Sequence, residues 1–145
     1  MAACILVVDD DAGIRQALEL MLRKAGYDVL LASDGTSALK AAQQRPPQLI
    51  IVDLGLPGGD GFNVIKRIRS MYRLSRIPIA VLTGMHLDEN RAKAEQAGAV
   101  AFLPKPLDGA ELLRVVAEAT GRPAKTKDAT PTPPAGSEPA GKPDS

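Results

Sequence analysis

The sequence has few of the side chains that bind nucleic-acid bases or form disulfides. Its 145 residues include no Trp, two Tyr, two Phe and a single cysteine, Cys4. So few aromatic residues argue against a base-stacking surface, and one cysteine excludes a disulfide within the chain. The formal net charge of +1 gives no long-range attraction to nucleic acid or to an anionic membrane.

Long apolar runs are also missing. No stretch approaches the roughly 18 apolar residues that cross a bilayer. The N-terminus lacks the basic start and the apolar length of a signal peptide. We therefore expect a cytoplasmic protein that binds neither membrane nor nucleic acid directly.

The composition changes near Gly121. Residues 122–145 hold six of the 12 prolines and almost no large apolar side chains, a composition that cannot form a core. We expect residues 1–121 to form one domain, and residues 122–145 to be a disordered Pro/Ala/Gly-rich tail or linker. The sequence leaves open whether an output domain once followed it.

Short apolar runs alternate with helical patterns through residue 121. Five helices begin near Asp11, Ser33 or Asp34, Phe62, Asp88 and Asp108, and the third is predicted over 62–72 after a loop at 53–61. The five predicted strands are Cys4–Val8, Tyr27–Ala32, Leu49–Val52, Ile79–Leu82 and Ala101–Leu103. Continuous apolar strands are typical of parallel sheets covered on both faces. The sequence thus predicts a doubly wound α/β fold with a five-stranded parallel sheet.

Polar residues follow four of these strands. They are Asp9 and Asp10 after the first, Asp53 after the third, Thr83 after the fourth and Lys105 after the fifth. The carboxyl ends of parallel strands share one edge, where doubly wound folds bind their ligands. We expect these side chains to form one pocket.

Three carboxylates in one pocket repel one another and favour a cation. Oxygen ligands without His or Cys favour Mg²⁺. We assign Asp10 and Asp53 as direct ligands with the Gly55 carbonyl as a third oxygen, and Asp9 as acting through water. Taken alone, the Asp9–Asp10 pair can also be a helix cap, and Asp53 a turn residue.

Asp53 can also act as a nucleophile. Its attack on phosphorus gives an acyl phosphate, while Lys105 holds a phosphoryl oxygen as a point charge. Thr83 can donate its hydroxyl to another oxygen, and Gly84 leaves room for the phosphate beside the backbone.

Together these segments resemble the receiver domain of bacterial two-component response regulators over roughly residues 3–120. The resemblance rests on ILVVDD at 5–10, YDVLLASDG at 27–35, LIIVDLGLPGGDG at 49–61, PIAVLTG at 78–84 and KP at 105–106. It implies a flavodoxin-like fold with strand order 2-1-3-4-5. It also implies phosphotransfer to Asp53 from a histidine kinase or a phosphotransfer protein.

The resemblance further implies a switch through Thr83 and Phe102. It reshapes the surface of the fourth helix, fifth strand and fifth helix to control an unknown downstream protein. On this interpretation the chain is not a turnover enzyme and catalyses only its own Mg²⁺-dependent phosphorylation and dephosphorylation. The Lys105–Pro106 bond is expected to be cis.

Two other functions must be weighed. Haloacid-dehalogenase phosphatases also use an Asp nucleophile with Mg²⁺, but their second Asp, two residues later, is Gly55 here and cannot move a proton. A pseudo-receiver usually lacks an acid or the lysine, and this chain has them all.

The basic patch of Lys66, Arg67, Arg69, Arg73 and Arg76 is interpreted as a solvated helix face, with a kinase or partner contact as the alternative.

Overall fold

The computed structural model describes residues 2–56, 60–84 and 87–122. All but the first residue of the predicted tail at 122–145 lies outside these described residues, so the proposed division of the chain near residue 121 stays a prediction. Helices and strands alternate in the order β1 Cys4–Val8, α1 Ala12–Lys24, β2 Asp28–Ala32, α2 Gly35–Gln44, β3 Leu49–Asp53, α3 Asp60–Ser70, β4 Ile79–Thr83, α4 Leu87–Ala97, β5 Ala101–Pro104 and α5 Gly109–Thr120.

The five strands form one parallel sheet with the order β2-β1-β3-β4-β5. The predicted fold class and strand order are confirmed. Because β1 and β3 lie in the middle of the sheet and are buried along their whole length, their carboxyl ends open at the centre of one edge. This is the point at which the strand order reverses, where ligands bind in such folds.

Each face of the sheet supports its own hydrophobic core, because successive strand residues point to opposite faces. Leu6, Val8, Ile50 and Val52 pack with buried residues of α2, α3 and α4. On the other face, Ile5, Val7, Leu49 and Ile51 pack with α1 and α5. The sheet is thus fixed from both sides, and its edge can hold polar side chains in defined positions.

Aspartate side chains cap three of the helices at their N-termini. Asp11 accepts hydrogen bonds from the backbone of Gly13 and Ile14 at the start of α1. Asp34 and Asp108 do the same for α2 and α5. These caps confirm the predicted starts and satisfy backbone donors that have no partner within the helix.

The third helix departs from its predicted bounds. It spans Asp60–Ser70 rather than 62–72, so the predicted loop at 53–61 is wrong at its end. Gly61 lies so close to β3 that a Cβ atom on it would be 2.6 Å from the Asp53 carbonyl oxygen. This close approach lets the helix begin directly behind the strand end that carries Asp53.

Arg69 is not part of a solvated helix face, and that interpretation is wrong for this residue. Its guanidinium is half-buried and donates hydrogen bonds to the carbonyls of Ser75, Ile77 and Gly98. These bonds tie the end of α3 to the loop before β4 and to the residue that follows α4. Burial lowers the pKa of Arg69.

The Lys105–Pro106 peptide bond is cis, as expected from the resemblance. Within the described residues, no helix combines the length and the apolar character needed to cross a membrane.

Candidate metal and phosphoryl site

The polar residues singled out in the sequence come together at the carboxyl edge of the sheet. Asp9 follows β1, Asp53 ends β3 and Thr83 ends β4, while Lys105 follows β5. Asp9, Asp10 and Asp53 each offer a carboxylate oxygen, and these oxygens lie within 4.8 Å of one another. Asp9 and Asp53 are buried at 0% and 4% exposure, whereas Asp10 is exposed.

Both oxygens of Asp53 have a partner. Oδ1 accepts a hydrogen bond of 2.8 Å from the backbone N–H of Gly55. Oδ2 lies 3.3 Å from the Lys105 Nζ. The carboxylate is therefore held at two points, with a donor on one side and a cation on the other.

The carboxylate of Asp9 lies farther from the Lys105 ammonium than the carboxylate of Asp53 does. Its Oδ1 accepts a hydrogen bond of 2.9 Å from the backbone N–H of Asp11. Its Oδ2 is buried without a hydrogen-bond partner among the described residues, and the Lys105 Nζ lies 3.6 Å away. Burial raises the pKa of Asp9, and the charges of Asp53 and Asp10 add to that rise. The Asp11 N–H and the Lys105 ammonium oppose it.

This arrangement fits a divalent cation. Among the described side chains of this cluster, three carboxylates against one ammonium leave two formal negative charges uncompensated, and the Asp9 oxygen without a hydrogen-bond partner lies among them. The side-chain atoms of this cluster that could bind a metal are all carboxylate oxygens, the ligand type that Mg²⁺ prefers. A buried polar atom without a partner is costly, so a bound ion would remove that cost.

Gly55 lies directly against the acceptor carboxylate. A Cβ atom at this position would be 3.2 Å from Asp53 Oδ1, so a side chain here would crowd the site. The ligand role of the Gly55 carbonyl, like the division of Asp9, Asp10 and Asp53 into direct and water-mediated ligands, stays a prediction.

Thr83 and Gly84 border the pocket on its β4 side. Thr83 is 3% exposed, and its carbonyl accepts a hydrogen bond of 2.9 Å from the backbone N–H of Lys105. Gly84 is exposed, and among the described residues a Cβ atom there would meet Lys105 alone, at 3.8 Å. There is space beside the backbone at Gly84.

Phe102 lies within β5, where it pairs with Val81 of β4. Its half-buried ring packs against the core cluster shared with α3 and α4. The Arg91 guanidinium of α4 lies 4.7 Å from the ring centroid, a distance typical of a cation–π contact. Phe102 thus connects the sheet with α4.

Sequence reasoning missed two residues near the site. Arg15 of α1 donates a hydrogen bond of 2.7 Å to the Asp9 carbonyl and so fixes the backbone at the end of β1. Arg91 covers the ring of Phe102. An arginine on a helix surface gives no sequence signal for either contact, because both depend on how the helix packs.

Comparisons with known proteins agree with this geometry. Residues 5–117 match the family model described as the response regulator receiver domain. The DNA-binding dual master transcriptional regulator RpaA of Synechocystis sp. is 39% identical over 109 residues, which are 75% of this chain and 45% of that protein. The chain therefore spans less than half the length of this curated relative.

Solved structures show the same similarity. A putative response regulator from Chloroflexus aurantiacus superposes with a TM-score of 0.79 at 35% identity, covering 84% of this chain and all of that one. The receiver domain of a sensor histidine kinase from Pseudomonas aeruginosa, solved with a magnesium ion coordinated in the active site cleft, has a TM-score of 0.76 at 35% identity. That match covers 83% of this chain and 99% of the other.

Proposed function

The chain belongs to the response regulator receiver domains of two-component systems, and on that basis we propose that Asp53 accepts a phosphoryl group from a histidine kinase or a phosphotransfer protein. The main support for this proposal is the geometry around Asp53. A nearly buried carboxylate at the central strand end lies 3.3 Å from a lysine ammonium, with two further carboxylates beside it.

In this proposal an Asp53 oxygen attacks the donor's phosphorus. The new P–O bond forms as the bond from phosphorus to the leaving nitrogen of phosphohistidine breaks, and that nitrogen keeps the electron pair. Lys105 offsets charge on a phosphoryl oxygen, because its Nζ already lies beside Asp53 Oδ2. The product is an acyl phosphate on Asp53.

Asp9, Asp10, Asp53 and the Gly55 carbonyl would hold Mg²⁺. When bound, the ion supplies positive charge that stabilises the transferring phosphoryl group. The chain's own contribution is to keep the carboxylates together before the ion arrives. The Arg15 contact to the Asp9 backbone and the Gly55 contact to Asp53 both serve that purpose.

We further propose that Thr83 and Phe102 relay the change. Thr83 ends β4 beside Lys105, and Phe102 of β5 contacts α4 through Arg91. A hydroxyl that moves toward a phosphoryl oxygen would open space next to β5, and the Phe102 ring could turn to fill it. The surface of α4, β5 and α5 would then differ between the two states.

The proposal does not include turnover of an external substrate. Gly55 stands where a phosphatase of the haloacid-dehalogenase type needs an acid, and its missing side chain leaves no group to protonate a leaving alcohol. Dephosphorylation would be the hydrolysis of the chain's own acyl phosphate. Cytoplasmic placement and an unidentified downstream protein are likewise parts of this proposal.

The test is incubation with acetyl phosphate and Mg²⁺, followed by measurement of the intact mass. We expect a gain of one phosphate in the wild type, no gain in Asp53→Asn, and no gain when EDTA removes the metal. Asp108→Asn is the matched control, because Asn caps a helix as well as Asp and Asp108 caps α5 without belonging to the carboxylate cluster.

A pseudo-receiver would behave differently. Wild-type protein that folds and binds Mg²⁺ but gains no mass would contradict the proposed phosphotransfer. A gain of mass that persists in Asp53→Asn would place the acceptor elsewhere.

A further inference from the structure

A groove between α3 and α4 lies outside the site described above. It has a volume of about 430 Å³ and is lined by Phe62, Lys66, Lys93, Gln96 and Ala97. Of these five described lining residues, two are lysines and none is acidic. The groove therefore presents positive charge around an apolar floor.

The two lysines have no carboxylate partner within the described part of the chain. Among the same residues, some exposed cations of this protein are paired, whereas others, such as Lys24 and Lys40, are not. Arg23, Arg45 and Arg114 each form an ion pair with an acid on the same or a neighbouring element. The groove thus keeps its positive charge available in a molecule whose overall charge is close to balanced.

Phe62 supplies the apolar part of the groove. Its ring is half-buried and packs against the core beneath it, so the ring is fixed rather than free. The Lys93 Nζ lies 6.0 Å from the ring centroid, at the outer limit of a cation–π contact. Aromatic side chains, Phe included, are enriched at protein interfaces.

We propose that this groove is a docking site for an acidic segment of a partner protein that carries one aromatic or large apolar side chain. The apolar side chain packs on Phe62, and carboxylates on either side of it pair with Lys66 of α3 and Lys93 of α4. Gln96 offers amide hydrogen bonds to the peptide backbone. This proposal goes beyond the phosphorylation switch and does not depend on it.

The composition of the groove favours a peptide over a nucleic acid. A nucleic-acid surface combines many cations with several stacking aromatics, whereas this groove has two lysines and one ring. Carboxylates spaced along an extended peptide, at roughly 3.3 Å per residue, can reach cations on two neighbouring helices while a side chain between them fills the centre.

A fluorescein-labelled peptide of sequence Glu-Asp-Glu-Phe-Glu-Asp tests the proposal, with binding followed by fluorescence polarisation and by amide chemical shifts. We expect saturable binding, with the largest shifts in α3 and α4. Lys66→Glu/Lys93→Glu should weaken binding by at least about tenfold, since like charges then face the peptide. Phe62→Leu should weaken it by about threefold or more, because the ring is lost while the apolar packing is kept.

The matched control is Lys24→Glu/Lys40→Glu, which makes the same change of net charge on exposed positions of α1 and α2. It should bind as the wild type does, and circular dichroism should show all variants folded. Equal loss of binding in this control would overturn the proposal, as would absence of saturable binding by the wild type. Equal affinity for a peptide in which Gln replaces every acid would overturn the proposal too. So would equal affinity for AMP, the probe for nucleotide binding.

Discussion

Burial of the Asp9 carboxylate is expected to be unfavourable for the stability of the fold. This carboxylate is fully buried, one oxygen has no hydrogen-bond partner among the described residues, and two further carboxylates lie nearby. Removal of such a charge from water is unfavourable unless it is fully paired. We therefore expect the metal-free protein to be less stable than the same fold with a neutral group at this position.

Asp9→Asn is therefore expected to stabilise the metal-free protein. Asparagine keeps the oxygen that accepts the hydrogen bond from the Asp11 N–H and removes the buried charge. The free energy of unfolding in EDTA should rise by about 1 kcal/mol, within the range that relief of a strained functional site gives. Urea denaturation of the two proteins measures it.

The matched control is Asp108→Asn, a cap at which Asn is equally suitable, and it should leave the stability unchanged. A loss of stability in Asp9→Asn would contradict the view that the buried charge is unfavourable in the absence of metal.

Lys105 has a different task from the acids. Its Nζ contacts both Asp9 and Asp53, so it neutralises charge without being a metal ligand. Lys105→Ala should bind Mg²⁺ at least as tightly as the wild type, because a competing cation is removed, but phosphorylation should no longer change the amide chemical shifts of α4. A magnesium titration measures the Mg²⁺ affinity. Amide spectra recorded with and without acetyl phosphate measure the response of α4. Weaker Mg²⁺ binding would show that the lysine supports the metal site.

At the scale of single elements, the end of α4 depends on a glycine. Gly98 has φ of 110° and lies against Arg69, whose Nε would be 2.6 Å from a Cβ atom there. Gly121 after α5 also has a positive φ, of 68°, but a Cβ atom there would meet none of the described residues within 4 Å. The two positions share the backbone strain of a left-handed residue and differ in the steric contact.

We expect Gly121→Ala to cost about 1 kcal/mol, the usual penalty for a left-handed L-residue. Gly98→Ala should cost at least about 1 kcal/mol more, since the Arg69 guanidinium is held by three carbonyls and cannot easily move away. Thermal denaturation of both variants measures the difference. Equal losses would mean that Arg69 yields without cost.

The start of α2 should depend on pH. Hydrogen bonds from the backbone N–H and the hydroxyl of Ser37 lower the pKa of Asp34 in the folded state. This contribution to stability is therefore fully present above the unfolded-state pKa of an aspartate and is lost as the pH falls through the lowered folded-state pKa. Asp34→Ala should lower the melting temperature at pH 7, and the difference from wild type should shrink toward pH 3. A pH-independent difference would contradict the role of the ionised cap.

The bounds of most elements follow from the sequence because their signals are local. Asp11, Asp34 and Asp108 cap the helices that they were expected to cap, and the apolar runs became strands. The start of α3 could not be predicted from the sequence, because a glycine near the start of a segment argues against a helix there. In the structure, Gly61 is needed because it lies very close to the end of β3. The buried role of Arg69 was missed because its three carbonyl partners come from chain segments that only the fold brings together.

For the molecule as a whole, metal binding and folding should be linked. The carboxylates come from chain segments far apart in sequence, so an unfolded chain has no comparable site. Mg²⁺ at about 100 times its dissociation constant should raise the free energy of unfolding by about 2.7 kcal/mol. Asp10→Asn should lose most of that gain while its stability in EDTA stays at or above the wild-type value. A gain from Mg²⁺ that survives in Asp10→Asn would show that the ion binds elsewhere.

The composition of the site was predictable, whereas its internal distances were not. The strand ends and the parallel sheet together predict that Asp9, Asp53 and Lys105 meet at one edge. They do not predict that Asp9 is fully buried while Asp10 is exposed, because both directly follow the same strand. Nor do they predict that Arg15 fixes the backbone of Asp9.

The most direct test is to locate the phosphoryl group. Wild-type protein is incubated with acetyl phosphate and Mg²⁺, reduced with borohydride to convert an aspartyl phosphate into homoserine, and mapped by peptide mass spectrometry. We expect homoserine at position 53 alone. Homoserine at position 9 or 10, or an unmodified chain under conditions in which the protein is folded and binds Mg²⁺, would contradict this expectation.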